Sequence, residues 1–230
     1  MATHARPVLT VDTSSTVVSA AVVDVAEDDV VVLARRDQQA ANRHGELLAA
    51  SIAEMLSEAS LTPSSLVAVA TGLGPGPFTG LRVGVVTAAA LADALALPAY
   101  AACSLDAIAR GHSVAGGFLV CTDARRKQVY WARYDSAGTR VDGPDIATAA
   151  DLATRFATEV PRVVGAAVAL YPQEFSAFDI TSDAAASALD VAHLVAAKVR
   201  ARAPSDVLEP MYLRRPDASP PGRPKSVLPA

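Results

Sequence analysis

Three β-branched runs stand ahead of the first helical pattern in this chain, and that order limits the folds open to it. PVLTVD (7–12), TVVSAAVVDV (16–25) and VVVLARR (30–36) are separated by a Thr-Ser-Ser turn and by Glu27-Asp28-Asp29. Short polar turns between such runs predict an antiparallel meander. The period then changes. Over 42–59, Leu48, Ile52, Met55, Leu56 and Ala59 share one helical face, with Asn42 in the N-cap position. LVAVAT (66–71) reads as a buried strand, and 78–97 as a second helix with Pro77 near its first turn. PAYAA is a short strand, and Ser104 is placed to cap a third helix over 105–112. A meander followed by alternating helices and strands predicts an α/β fold, a mixed sheet with helices on both faces.

The second half repeats this in reduced form. GFLVCTD (117–123) and QVYWARYD (128–135) form a hairpin, 140–146 a third strand, 149–157 a short helix and Arg162–Val164 a further strand. Over 183–203 a final helix carries Leu189, His193, Ala196, Ala197 and Arg200 near one face. The segment 214–230 is proline-rich and reads as a flexible tail.

With 230 residues, 51% hydrophobic and 19% charged, the chain can bury a large core or two small ones. The net charge of −4 gives no general basic field, so an RNA role is indirect or needs a partner. Cys103 and Cys121 have no CxxC spacing, which argues against a zinc site or a disulfide framework and for the cytosol. No run of about 18 apolar residues and no signal core is apparent, so neither a membrane span nor a secretory leader is expected.

The stretch GLGPGPFTGLRVG (72–84) holds five of the 13 glycines. A strand, a glycine turn and a helix N-terminus form a setting that suits phosphate. The details depart from it. Leu81-Arg82 stands where a P-loop needs Lys-Ser/Thr, and Thr79 stands where a dinucleotide loop needs its last glycine. Pro75 and Pro77 lack N–H groups. Phosphate contact through Gly76, Phe78, Thr79 and Gly80 stays open as one reading. Gly80, Gly84, Ala88 and Ala92 also form a small-residue stripe, suited either to a second helix or to the chain's own sheet.

Taken together, Asp12-Thr-Ser-Ser, NRHGELL, the glycine stretch with its helix, SLDAIA and DARRKQVYWARY resemble the TsaB (YeaZ) family, the small members of the TsaB/TsaD group. The likeness runs from about residue 8 to 135 and continues weakly to YLRRP (212–216). It implies an actin-like ATPase (ribonuclease-H-like) fold of two β-β-β-α-β-α subdomains, 1–103 with the docking helices and 104–213 reduced. It also implies a non-catalytic scaffold for TsaD in tRNA threonylcarbamoyladenosine modification. TsaE would join a larger complex, the chain alone would form a homodimer, tRNA would be met only through the complex, and no membrane is involved. The docking face implied lies on the first two helices, at Leu48, Ile52, Met55, Arg82, Val85 and Ala89.

Active members of the actin-like group present an aspartate on each hairpin, with a glycine two residues on. Here Asp12 is followed by Ser14, and Asp123 by Arg125. A side chain at either place blocks phosphate or strains the backbone. Asp12 and Asp123 remain candidates for a residual magnesium pair, beside the plainer reading that they satisfy turn N–H groups. No cofactor is therefore expected, apart from a weakly held nucleotide at the partner interface; the candidate cofactor contacts in the chain itself are Asp12, Asp123, Gly76 and Thr79. TsaD-type metal binding needs a His-x-x-x-His pair, and 103–108 holds no histidine. The alternatives are an ATP-dependent phosphotransferase of the actin-like kind and a metallopeptidase. The second lacks HExxH, since His44-Gly-Glu46 is not that motif. The tip Arg125-Arg126-Lys127, beside Tyr130, Trp131 and Tyr134, is either a solvated turn or an assembly contact with RNA.

Overall fold

The computed structural model describes residues 5–40, 43–112 and 114–214. Two five-stranded sheets lie in chain order. The first holds β1 (Pro7–Asp12), β2 (Val17–Val25), β3 (Val30–Gln39), β4 (Ala68–Gly72) and β5 (Ala99–Ala102), ordered β3-β2-β1-β4-β5. The meander β1–β2–β3 is antiparallel, while β4 and β5 add in parallel. β1 is buried at every position. That explains its unbroken apolar reading in the sequence, because strands covered on both faces do not alternate. The second sheet holds β6 (Phe118–Asp123), β7 (Gln128–Tyr134), β8 (Arg140–Thr148), β9 (Arg162–Val164) and β10 (Asp179–Thr181), ordered β10-β9-β6-β7-β8.

Side-chain alternation along the strands sorts the core into layers. Leu9, Val11, Ala20 and Val22 meet Leu48, Ile52 and Met55 of α1 (His44–Glu58) and Ala88 and Ala92 of α2 (Phe78–Leu95). The opposite residues Val8, Ala21 and Val23 meet Leu105 and Ile108 of α3 (Ser104–Ala109) and Val191, Val195 and Val199 of α6 (Ala188–Arg200). Phe118, Val120 and Tyr134 of the second sheet close on that same layer. Leu119, Cys121 and Trp131 point away, toward α4 (Ala149–Phe156) and Val168 of α5 (Ala167–Leu170). Thus α3 and α6 lie between the sheets. The boundary expected at 103–104 separates the sheets, yet α6 comes from the second segment and packs on the first sheet.

Several expected details differ. Asn42, expected as the first cap, lies outside the described residues; Arg43 stands at the cap of α1 without a side-chain bond to the helix backbone. Ser104 does not cap α3, whose N-cap is Cys103. The final helix begins only at Ala188, capped by Ser187, and buries Val191, Val195 and Val199 rather than Leu189 and His193. So many alanines surround these valines that two faces look alike in the sequence. α2 is, by length and composition, apolar enough to cross a membrane, where no such run is expected. Its alanines and glycines raise its hydropathy, and Gly80, Leu81, Gly84, Val85, Ala88 and Ala92 are buried.

After α6 the chain continues as a strap over the edge strand β5. Asp206 N donates to Ala99 O at 2.9 Å, Asp206 accepts from Ala101 N at 2.9 Å, and Met211 N donates to Leu73 O at 2.8 Å. These bonds cover an edge that would otherwise offer free ladder groups. The expected tail lies outside the described residues except for Arg214.

Candidate functional site

Asp12 ends β1 beneath the glycine turn, with no exposed surface. Its Oδ1 accepts from Ser14 N at 2.9 Å and from Ser14 Oγ at 2.7 Å. Its Oδ2 accepts from Ser104 Oγ at 2.6 Å. Ser104 Oγ in turn accepts from Gly74 N at 3.0 Å, and Ser104 N donates to Gly74 O at 2.8 Å. Burial pushes the Asp12 carboxyl up, against the pull of these hydrogen bonds. The side chain is thus engaged on both oxygens by its own turn and by α3. Ser104 was legible only as a helix cap, because its partner lies 92 residues away.

The glycines of the turn make room for this hairpin. A Cβ at Gly72 would stand 1.8 Å from Asp12 Oδ2, and one at Gly76 would stand 2.2 Å from Ser14 O. Gly76, a candidate phosphate contact, is therefore sealed against Ser14. The small-residue stripe of α2 is turned inward as well. Thr13 Oγ1 accepts from Gly84 N at 2.9 Å and donates to Gly80 O at 2.8 Å. His44, first residue of α1, donates from Nε2 to Ser15 O at 2.9 Å, which ties the helix to the first hairpin.

The second hairpin repeats the first. Asp123 Oδ1 accepts from Arg125 N at 2.8 Å, as Asp12 does from Ser14 N, and Oδ2 lies 3.5 Å from Arg125 Nε. Both aspartates close their own turns. Arg125, Arg126 and Lys127 have φ of 63°, 52° and 60°. Three successive non-glycine residues in the left-handed region cost about 1–2 kcal/mol each. Arg214 braces the turn from outside, donating to Ala124 O at 2.7 Å and to Gln128 Oε1. The expected neighbours of this tip do not accompany it. Tyr130, Trp131 and Tyr134 are buried, because they belong to a strand covered on both faces.

Between the two hairpins lies a cavity of about 90 Å³, lined by Ser14, Pro75, Ser104, Thr122, Asp123 and Arg125 among others. Small-molecule sites usually span roughly 300–1,000 Å³, so this cavity is smaller than such sites. A wider groove of about 730 Å³ lies outside it, lined by Ser15, Gln39, His44, Phe78, Thr79 and Arg125 among others. Thr79 is exposed there. Among the described residues no group of three His, Cys, Asp or Glu is placed to hold a metal.

The docking residues divide. Leu48, Ile52 and Met55 are 0%, 8% and 0% exposed, and Val85 is 2% exposed. These four are core, which corrects the face expected for them: helical periodicity marks the buried stripe. Arg82 and Ala89 are exposed, and with Val86 and Asp93 they share the outward face of α2. Ala49, Ala50 and Ala53 are exposed on the neighbouring α1.

The sequence model of the family described as TsaD, tRNA N6-adenosine threonylcarbamoyltransferase, matches residues 37–218. An uncharacterized protein of Mycobacterium tuberculosis (strain H37Rv) is 43% identical over 213 residues, which cover 93% of this chain and 94% of that one. The tRNA threonylcarbamoyladenosine biosynthesis protein TsaB of Bacillus subtilis is 31% identical over 128 residues, 55% of this chain and 54% of its own. Among solved structures, a Pseudomonas aeruginosa protein described as similar to peptidase YeaZ superposes with a TM-score of 0.76. It is 24% identical and covers 91% of this chain and 100% of its own, a likeness of fold.

Proposed function

This chain belongs to the TsaD family, in its TsaB (YeaZ) branch with the actin-like fold, and takes part in tRNA threonylcarbamoyladenosine biosynthesis; from that premise we propose that it is a non-catalytic scaffold for TsaD. The observation that carries this reading is the filled first hairpin. Three hydrogen-bond donors occupy Asp12, Gly76 lies against Ser14 O, and the inter-hairpin cavity is about 90 Å³. Phosphate finds no open backbone there, which counts against a phosphotransferase. The metallopeptidase alternative has no motif to support it.

The docking surface is the outward face of α2, at Arg82, Val86 and Ala89, with the alanine face of α1 beside it. Small side chains let a partner helix approach closely. Because one face serves both purposes, homodimer and TsaD complex exclude one another. TsaE joins the larger assembly, tRNA reaches this chain through it, and the work takes place in the cytoplasm. The chain carries no cofactor of its own; any nucleotide contact is made with the partner.

Thermal unfolding with and without magnesium–ATP tests the catalytic half of this reading. The chain alone is expected to keep the same midpoint. A nucleotide-dependent rise that Asp12→Asn abolishes would favour the phosphotransferase instead.

A further inference from the structure

Phe78, the first residue of α2, is 43% exposed, and the Arg82 guanidinium sits 4.5 Å over its ring. Tyr212 of the C-terminal strap stacks on the same ring, 4.9 Å between centroids at 30°, and is itself 39% exposed. Two stacked aromatic rings and a guanidinium thus remain at the surface. The strap places them firmly. Met211 N is bonded to Leu73 O, and two residues beyond Tyr212 the Arg214 guanidinium holds the hairpin tip through Ala124 O. Arg125 and Lys127 stand exposed on that tip. Arg125 and Phe78 line the same groove of about 730 Å³, together with the polar groups of Gln39, His44 and Thr79.

We propose that this surface, the Phe78–Tyr212 stack with the Arg125–Lys127 tip, contacts unpaired RNA. It rests on the tRNA reading above and adds a direct contact to it. Aromatic faces accept any unstacked base, and the cations beside them neutralise the backbone. Paired RNA shows no free base faces, so the fit is to a loop or an end, with little dependence on sequence. The acidic group at the tip, Asp123, is already turned to Arg125 N and Nε. The chain's net charge of −4 makes the contact local to this edge.

Fluorescence anisotropy tests it, using an RNA hairpin with an unpaired loop and a fully paired duplex, on the full chain alone and bound to TsaD. The hairpin is expected to bind more tightly than the duplex. Arg125→Gly with Lys127→Gly keeps the turn, since glycine adopts positive φ freely. That pair should weaken binding and flatten the slope against log salt by about 1.4, or about 0.7 for each lost phosphate contact. Phe78→Leu with Tyr212→Leu should weaken binding about tenfold and leave the slope unchanged. Equal hairpin affinity in all variants, preference for the duplex, or no RNA binding by the native chain in either form overturns the proposal. Co-purification with TsaD is followed in the same variants. If TsaD is retained while RNA binding is unmoved, only this surface falls; if the native chain fails to bind TsaD, the proposed function itself falls.

Discussion

The Thr13 hydroxyl stands in the hydrogen-bond ladder of α2, accepting from Gly84 N at 2.9 Å and donating to Gly80 O at 2.8 Å. A regular helix joins that donor and acceptor directly. Here the first hairpin reaches into the helix, and the approach is open only because position 84 has no Cβ. A Cβ there would lie 2.5 Å from Thr13 Oγ1.

Gly84→Ala should therefore destabilise the native chain, although alanine gains about 1 kcal/mol of helix propensity over glycine. The overpacking cost is about 1–3 kcal/mol. In a Thr13→Ala background the clashing hydroxyl is gone, and the same substitution should turn stabilising. Urea unfolding of the four variants measures the sign of this coupling. An equal effect in both backgrounds would refute the contact.

Asp12→Asn should hold or raise stability at neutral pH. The folded carboxyl lies above its usual value, chiefly through burial. The folded state then binds its proton more tightly than the unfolded chain, so this group's contribution falls as pH rises from the unfolded value of about 3.9 through the folded one. Asparagine removes that loss and still accepts from Ser14. Asp12→Ala should instead cost about 1–3 kcal/mol for each donor left unsatisfied. Thermal midpoints between acid and neutral pH distinguish the two variants.

Asp206 should show the opposite sign. Against the desolvation of its site, Lys198 and the Ala101 N–H hold its carboxyl below the usual value. Its contribution is full above the unfolded value and is lost as pH falls through the folded one. Hydrogen-exchange protection at Asp206 and Met211, with intrinsic chemical exchange divided out, should fall on acidification, and Asp206→Asn should abolish much of that dependence. Protection that is flat with pH in the native chain would contradict the tether.

β1 to β9 and α2 were legible as β-branched runs and one long apolar helix, with β9 at the residues expected, whereas the three-residue β10 is too short and too polar to stand out. The purpose of the glycines was not legible. Their partners, Asp12 and Ser14, lie about sixty residues away in sequence, and spacing within the loop says nothing of them. For α1 the pattern of Leu48, Ile52 and Met55 was read correctly as a face but assigned to a partner, when it covers β2. The outward side carries Ala49, Ala50 and Ala53 among Glu46, Glu54 and Glu58, a pattern that marks solvent and names no partner. At the basic tip, neighbouring aromatics in the sequence proved to be core. The exposed rings at that edge, Phe78 and Tyr212, come from distant segments that meet only in the fold.

The most direct test of the account is co-purification of this chain with TsaD from the same organism, comparing the native chain with Ala89→Arg. Ala89 is exposed, so the variant should fold and keep its melting temperature. The account predicts a native complex that the variant weakens by at least about thirtyfold, through an unpaired guanidinium forced into the interface. A complex of undiminished affinity in Ala89→Arg, or no complex with the native chain, would contradict it.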